Sequence, residues 1–249
     1  MRWIPFVAAT TLAIVACDPS AVNPRIEDDD FVDTSGWETY TVDGLKAEGT
    51  SVDGHYVEAL SDPFFRMGVL SAPPGVAIGL VTHLDNALYY VQRGEGTLAF
   101  EQDTVALAEG EVLFVRGGTE HRIYDVSTGL DLVVILPRGL SIPEDPEWVH
   151  LGTDSLTAGR RPDQNTWAVL FETSTAGVGV YHLPKGGQDE GLTHAFPEIK
   201  LVMSGGGRFD LANGGVEASS GTVAYIPGGI RHQIRRVSDD ISVLFMWKK

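Results

Sequence analysis

The chain has 249 residues, with 18 Lys+Arg against 34 Asp+Glu, a formal net charge of -16 and 43% apolar composition. So acidic a surface repels phosphate backbones and anionic lipid, which disfavours nucleic-acid partners and leaves any membrane contact to a covalent anchor. Its lone cysteine excludes an internal disulfide framework and thiolate metal clusters, so stability must come from a packed core.

Met1-Arg2 supplies a short positive start, and Trp3 to Ala16 is an apolar run without a charge. That run is too short to span a bilayer comfortably and reads as a signal-peptide core over 1–16. It ends in Ile14-Val15-Ala16-Cys17, which resembles the lipobox of bacterial lipoproteins. The resemblance implies cleavage before Cys17, a lipid on its thiol, and a place in the cell envelope, periplasmic or surface-facing. The alternative is an ordinary signal peptide followed by an unrelated cysteine. Glu27-Asp28-Asp29-Asp30, Asp33, Pro19 and Pro24 then make 17–35 an acidic, solvated tether.

Beyond the tether come short apolar runs, many of them β-branched, such as Val76-Ala77-Ile78-Gly79-Leu80-Val81 and Leu132-Val133-Val134-Ile135-Leu136. Gly, Pro, Asn and Asp break them, and no window holds a helical period over twelve residues or more. The spacing predicts an all-β chain. An offset of 111 residues carries His83 onto His194, Gly94 onto Gly205, Gly110 onto Gly221, Gly117-Gly118 onto Gly228-Gly229 and His121 onto His232. No gap is needed, so the chain is a duplication of a unit sized for a small β-barrel. The expected boundaries are 36–140 and 141–249.

The second unit contains Gly221, Pro227, Gly229 and His232 at the spacing of the second motif of the cupin superfamily. The first unit follows it except for Arg116 where proline is expected. The folded region thus resembles a bicupin, two tandem cupin-type (jelly-roll) barrels. The family implies three histidines and a glutamate around a divalent metal, Fe, Mn, Ni or Zn. In the second unit His194, Glu198 and His232 fall on those positions, and Leu192 stands in place of the fourth ligand. Strand alternation would turn Leu192 inward to fill the vacated space. Two readings stay open: a metal site with free positions, or a retired one whose side chains hydrogen-bond one another. In the first unit His83 and His121 remain while Val81 and Ala87 replace the other two ligands, a degenerate site into which only Asp85 or Asn86 could reach.

The same alternation places Lys200 with Glu198 and Arg236 with His232, cations suited to an anionic substrate. The plainer expectation puts both at the barrel rim in solvent. The loop from Pro184 to Gly191 is a lip or a plain connector, His182 could line the second barrel, and His55 and His150 are ordinary histidines. No phosphate loop, nucleophile elbow or His-Glu-x-x-His helix is present. The expected function is a metal-dependent enzyme (dioxygenase, decarboxylase, isomerase or lyase) on a small anionic organic molecule. The alternatives are a non-catalytic ligand-binding lipoprotein or a structural module. Membrane contact is expected through Cys17 alone, with the protein a monomer or a homodimer.

Overall fold

Apolar runs punctuated by glycine turns become strands because each turn needs a positive φ that only glycine adopts cheaply. The computed structural model describes residues 36–48, 55–211 and 214–249. The expected signal peptide, Cys17 and the tether over 17–35 lie outside them. In chain order the elements of the first half are β1 (Glu38–Thr41), α1 (Val42–Glu48), β2 (His55–Ser61), β3 (Phe65–Ala72), β4 (Ile78–Val81), β5 (Ala87–Ala99), β6 (Thr104–Ala108), β7 (Val112–Val115), β8 (His121–Tyr124) and β9 (Leu130–Pro137). There follow β10 (Trp148–Leu151), α2 (Thr153–Thr157), β11 (Thr166–Glu172), β12 (Ala176–Leu183), β13 (Glu198–Leu211), β14 (Gly214–Ser219), β15 (Thr222–Ile226) and β16 (His232–Lys248). The fold is all-β, with two short helices. No helix among the described residues is long and apolar enough to cross a membrane.

The duplication extends well beyond the motif blocks. The offset of 111 carries β2 onto β11 and β3 onto β12 with identical bounds, and carries the start of α1 onto the start of α2. Trp37 maps onto Trp148, just at the start of β10. Gly75, Gly94, Gly110 and Gly118 have positive φ, and so do their counterparts Gly186, Gly205, Gly221 and Gly229. Asp125 (φ 54) and Arg236 (φ 52), the two non-glycine residues of positive φ among those described, also match.

The strands form two antiparallel sheets. One runs β10-β7-β5-β9-β3-β2, with β6 and β8 on β5 and β4 on β8. The other runs β1-β15-β13-β16-β12-β11, with β14 on β13. Each unit lends its first strand to the other. β1 pairs with β15 (Glu38 opposite Tyr225), and β10 pairs with β7 (Trp148 opposite Val115). A division at 140/141 therefore separates β10 from the sheet it completes.

Alternation along the strands builds three cores. Tyr89, Val91, Leu113 and Leu132 fill the inside of the first curled sheet, and Val202, Ala224, Ile226 and Val243 that of the second. Their sequence neighbours point the other way. Leu88, Tyr90 and Ile135 meet Ile199, Leu201, Leu244 and Met246 in a third cluster shared by both sheets. Burial on both faces explains why these segments read as continuous apolar runs.

Candidate metal centre

Glu198 opens β13, between Ile226 of β15 and Trp247 of β16. His232 opens β16 and is delivered by the Gly228-Gly229 turn. Gly229 has φ +86, and a Cβ on Gly228 would stand 2.4 Å from the Ala195 carbonyl oxygen. The segment carrying His194 is laid beside this turn by backbone bonds. Gly229 N–H donates to the His194 carbonyl (2.7 Å), and Leu192 and His232 exchange a pair at 2.9 Å each. The outcome is that ligand atoms of His194, Glu198 and His232 lie within 4.8 Å of one another. Glu198 and His232 are 3% and 4% exposed, and His194 is half-buried on the mouth side.

The electrostatics suit a cation. Nδ1–H of His232 donates to the Ile230 carbonyl (3.0 Å), so a neutral ring turns a bare Nε2 lone pair inward. That Nε2 stands 2.6 Å from Glu198 Oε1. A proton on Nε2 makes this contact a buried ion pair; without one, both atoms are acceptors that no other hydrogen bond satisfies. A positive charge between or beside them stabilises this approach, and a proton on Nε2, the Lys200 ammonium or a bound cation each supplies one. Burial raises the Glu198 carboxyl, but Lys200 and the neighbouring His232 and His194 outweigh it and hold the group at about 2, so it is a carboxylate. Burial also lowers His194, leaving it neutral with a lone pair to offer. Two imidazoles and a carboxylate match the donor preferences of Fe, Mn, Ni or Zn.

Two expectations about the surroundings need correcting, those for Lys200 and Leu192, while Arg236 is in solvent as the plainer expectation had it. Lys200 is not at the rim: it is 4% exposed, with Nζ 3.4 Å from Glu198 Oε1 and 5.3 Å from the centre of the Tyr181 ring. A buried ammonium needs such partners. Arg236 is exposed and does not follow His232 into the lumen, because β16 bulges where Arg235 and Asp239 face Arg208 and Gly206. The bulge breaks the alternation that placed it inward. Leu192 does not plug a vacated ligand position; it is 43% exposed.

The first unit brings His83 and His121 together around a residue the sequence reading passed over. Tyr89 Oη lies 2.7 Å from Nε2 of each. Nδ1–H of His121 donates to the Thr119 carbonyl (3.0 Å), so its Nε2 accepts from the Tyr89 hydroxyl, whose oxygen accepts from His83 Nε2–H. Every inward lone pair is used. Burial keeps the Tyr89 phenol protonated, and burial together with His121 lowers His83 to about 4. Ala87 is buried in the glutamate position. Asp85 accepts from Gly139 N–H, and Asn86 is spent on Gly117, Thr175 and Asp145, so neither reaches the histidines. The offset that maps His83 onto His194 also maps Tyr89 onto Lys200, and that signal was legible.

The other histidines stand apart. His182 lies on the face away from the lumen, bonded to Ser242 Oγ (2.7 Å) and the Leu156 carbonyl (3.2 Å), and His150 pairs with Glu111 (3.0 Å). The His55 side chain lies outside the described residues. The lip is fastened: Asp189 N–H donates to the Ile234 carbonyl (3.1 Å), and Gln233 donates to the Asp189 carbonyl (2.5 Å). A separate cleft of about 420 Å³, lined by Lys46, Ser71, Arg93 and Asp131 among others, contains none of the candidate ligands.

Residues 68–137 match the sequence model of the Cupin domain family. That segment covers the degenerate unit and stops short of the candidate centre. An uncharacterized protein of Streptomyces coelicolor is 28% identical over 94 residues, 38% of this chain and 90% of that protein. Among solved structures, a cupin 2 conserved barrel domain protein from Leptotrichia buccalis superposes with a TM-score of 0.67 at 15% identity, covering 88% of this chain and 100% of that one. A salicylate 1,2-dioxygenase from Pseudaminobacter salicylatoxidans superposes at 0.69 with 10% identity, covering 85% and 84%. The architecture is cupin-like.

Proposed function

We propose that this chain is a lipid-anchored bicupin of the bacterial cell envelope. Its second barrel holds a divalent transition metal on His194, Glu198 and His232 and acts on a small anionic organic molecule. The observation that carries the reading is the convergence of His194, Glu198 and His232, whose ligand atoms lie within 4.8 Å of one another, with Glu198 Oε1 and His232 Nε2 buried 2.6 Å apart. The salicylate dioxygenase neighbour supports metal-dependent chemistry for this fold, though not a substrate. A bound ion would supply Lewis acidity to an oxygen of the substrate. The chain's own part is to fix the ligand geometry, with Ile230 setting the His232 tautomer, and to present the Lys200 ammonium to an anion. A second reading, a ligand-binding protein without metal, is favoured by one observation: Lys200 already offers Glu198 a positive partner at 3.4 Å.

Elemental analysis of the protein purified without chelator, beside Glu198→Gln and His232→Ala, tests the proposal. Near-stoichiometric Fe, Mn, Ni or Zn that disappears in both variants is expected. A folded wild type that takes up no ion, even after reloading, defeats it in favour of the second reading. The anchor is tested separately: Cys17→Ser should move the protein from the membrane fraction to the soluble one.

A further inference from the structure

The inner face of the second sheet carries a row of rings that its duplicate lacks. Register places Trp247 beside Glu198 and Phe245 beside Lys200, with Gly177 and Gly179 of β12 on their far side. Phe245 lies 5.8 Å from Tyr181 and 5.7 Å from Trp247, the latter pair stacked at 26°. The rings rest on bare backbone. A Cβ at Gly177 would fall 1.9 Å from Trp247 Cζ2, and one at Gly179 would fall 2.4 Å from Phe245 Cζ. In the first unit the matching positions are Leu70, Val134 and Leu136, the last two 1% and 3% exposed. Aliphatic side chains therefore suffice to complete this face of the fold. In the second unit Tyr181, Phe245 and Trp247 each keep part of their surface accessible. Among them Tyr181 Oη is buried without a hydrogen-bond partner, and the Lys200 ammonium sits over the same ring.

We infer that the second lumen receives a flat, unsaturated ring bearing a carboxylate, with the ring against Phe245 and Trp247 and the carboxylate drawn to Lys200 and Tyr181. The inference rests on the reading of this lumen as the ligand site and adds the class of ligand. A flat face stacks on aromatic rings where a puckered one does not, a gain of up to about 1.5 kcal/mol beyond burial, or roughly tenfold in affinity. Glu198 shares the Lys200 ammonium, and Asp189 interacts electrostatically with Lys200 and Tyr181, so both carboxylates oppose an incoming anion. A metal ion that takes up the Glu198 charge frees Lys200, and the ligand binds more tightly to the metal-loaded protein.

Titration calorimetry on the full chain in mild detergent, with and without zinc, tests this with benzoate, cyclohexanecarboxylate and benzyl alcohol. Benzoate is expected to bind roughly tenfold more tightly than either analogue. Phe245→Val with Trp247→Leu, which installs the residues of the first unit, should abolish the preference for benzoate over cyclohexanecarboxylate. Lys200→Met should abolish that for benzoate over benzyl alcohol. Equal affinity of the wild type for benzoate and cyclohexanecarboxylate overturns the inference, and needs no variant to fold. Benzoate binding without zinc uptake sustains it while defeating the metal reading. Zinc uptake without benzoate binding overturns it and leaves the metal reading standing.

Discussion

Position 89 and its counterpart 200 decide what each set of histidines can do. Tyr89 closes a relay from His83 to His121 and on to the Thr119 carbonyl, leaving no lone pair for an ion. Tyr89→Phe would strand the buried His121 Nε2 and remove the partner of the half-buried His83, at a cost of about 1–3 kcal/mol. The measurement is urea unfolding, with the proposed metal uptake of the second unit expected to be unchanged. The relay also sets a pH dependence. His83 sits near 4 in the folded protein, against an ordinary value of 6.5. The unfolded chain thus takes up its proton first on acidification. The contribution of neutral His83 is complete above about 6.5 and is lost as the pH falls toward 4. Melting temperature should decline across that window in the wild type, and less steeply in His83→Gln. The candidate trio at 194, 198 and 232 was legible through the cupin resemblance, and the structure brings the three side chains together. Alternation rightly sets Lys200 beside Glu198, against the plainer expectation of a rim lysine, and it fails for Arg236 because it carries no notice of a bulge.

At the scale of the elements, the glycine turns were the most readable feature, yet similar turns carry very different constraints. Gly118 has φ +85 with open space where a Cβ would stand. Alanine there meets only the backbone cost of the left-handed region, about 1–2 kcal/mol. Gly94 has φ +86, and an added Cβ would lie 1.8 Å from the Gly129 carbonyl oxygen, with the 129–130 backbone pressed against it. Gly205 repeats that contact at 2.1 Å from the Asp240 oxygen. No side chain can yield in either place, so Gly94→Ala should cost more than about 4 kcal/mol. Chemical denaturation of the two alanine variants compares them directly, and similar losses at 94 and 118 would refute the distinction. Sequence shows that a glycine turn is present; only the strand packed across it shows whether the glycine could be replaced.

At the scale of the molecule, the duplication was visible in residue spacing, but the exchange of β1 and β10 was not. Each is four residues long, and a short alternating segment reads the same whichever sheet it joins. The exchange ties the halves together twice, and the shared cluster of Leu88, Tyr90, Ile135, Ile199, Leu244 and Met246 ties them again. A half cut at 140/141 would expose that cluster and leave β7 without the edge partner β10. The folded region should accordingly unfold as one cooperative unit despite its two barrels. Scanning calorimetry should give a single transition whose calorimetric and van't Hoff enthalpies agree. A chain of two independent barrels would instead show a calorimetric enthalpy well above the van't Hoff value. The consequence for function is that the degenerate first barrel is kept by its packing. It supplies β1, the counterpart of β10, to the second sheet and half of the common core, so losses of stability there, as in Tyr89→Phe, should lower the unfolding midpoint of the second barrel as well.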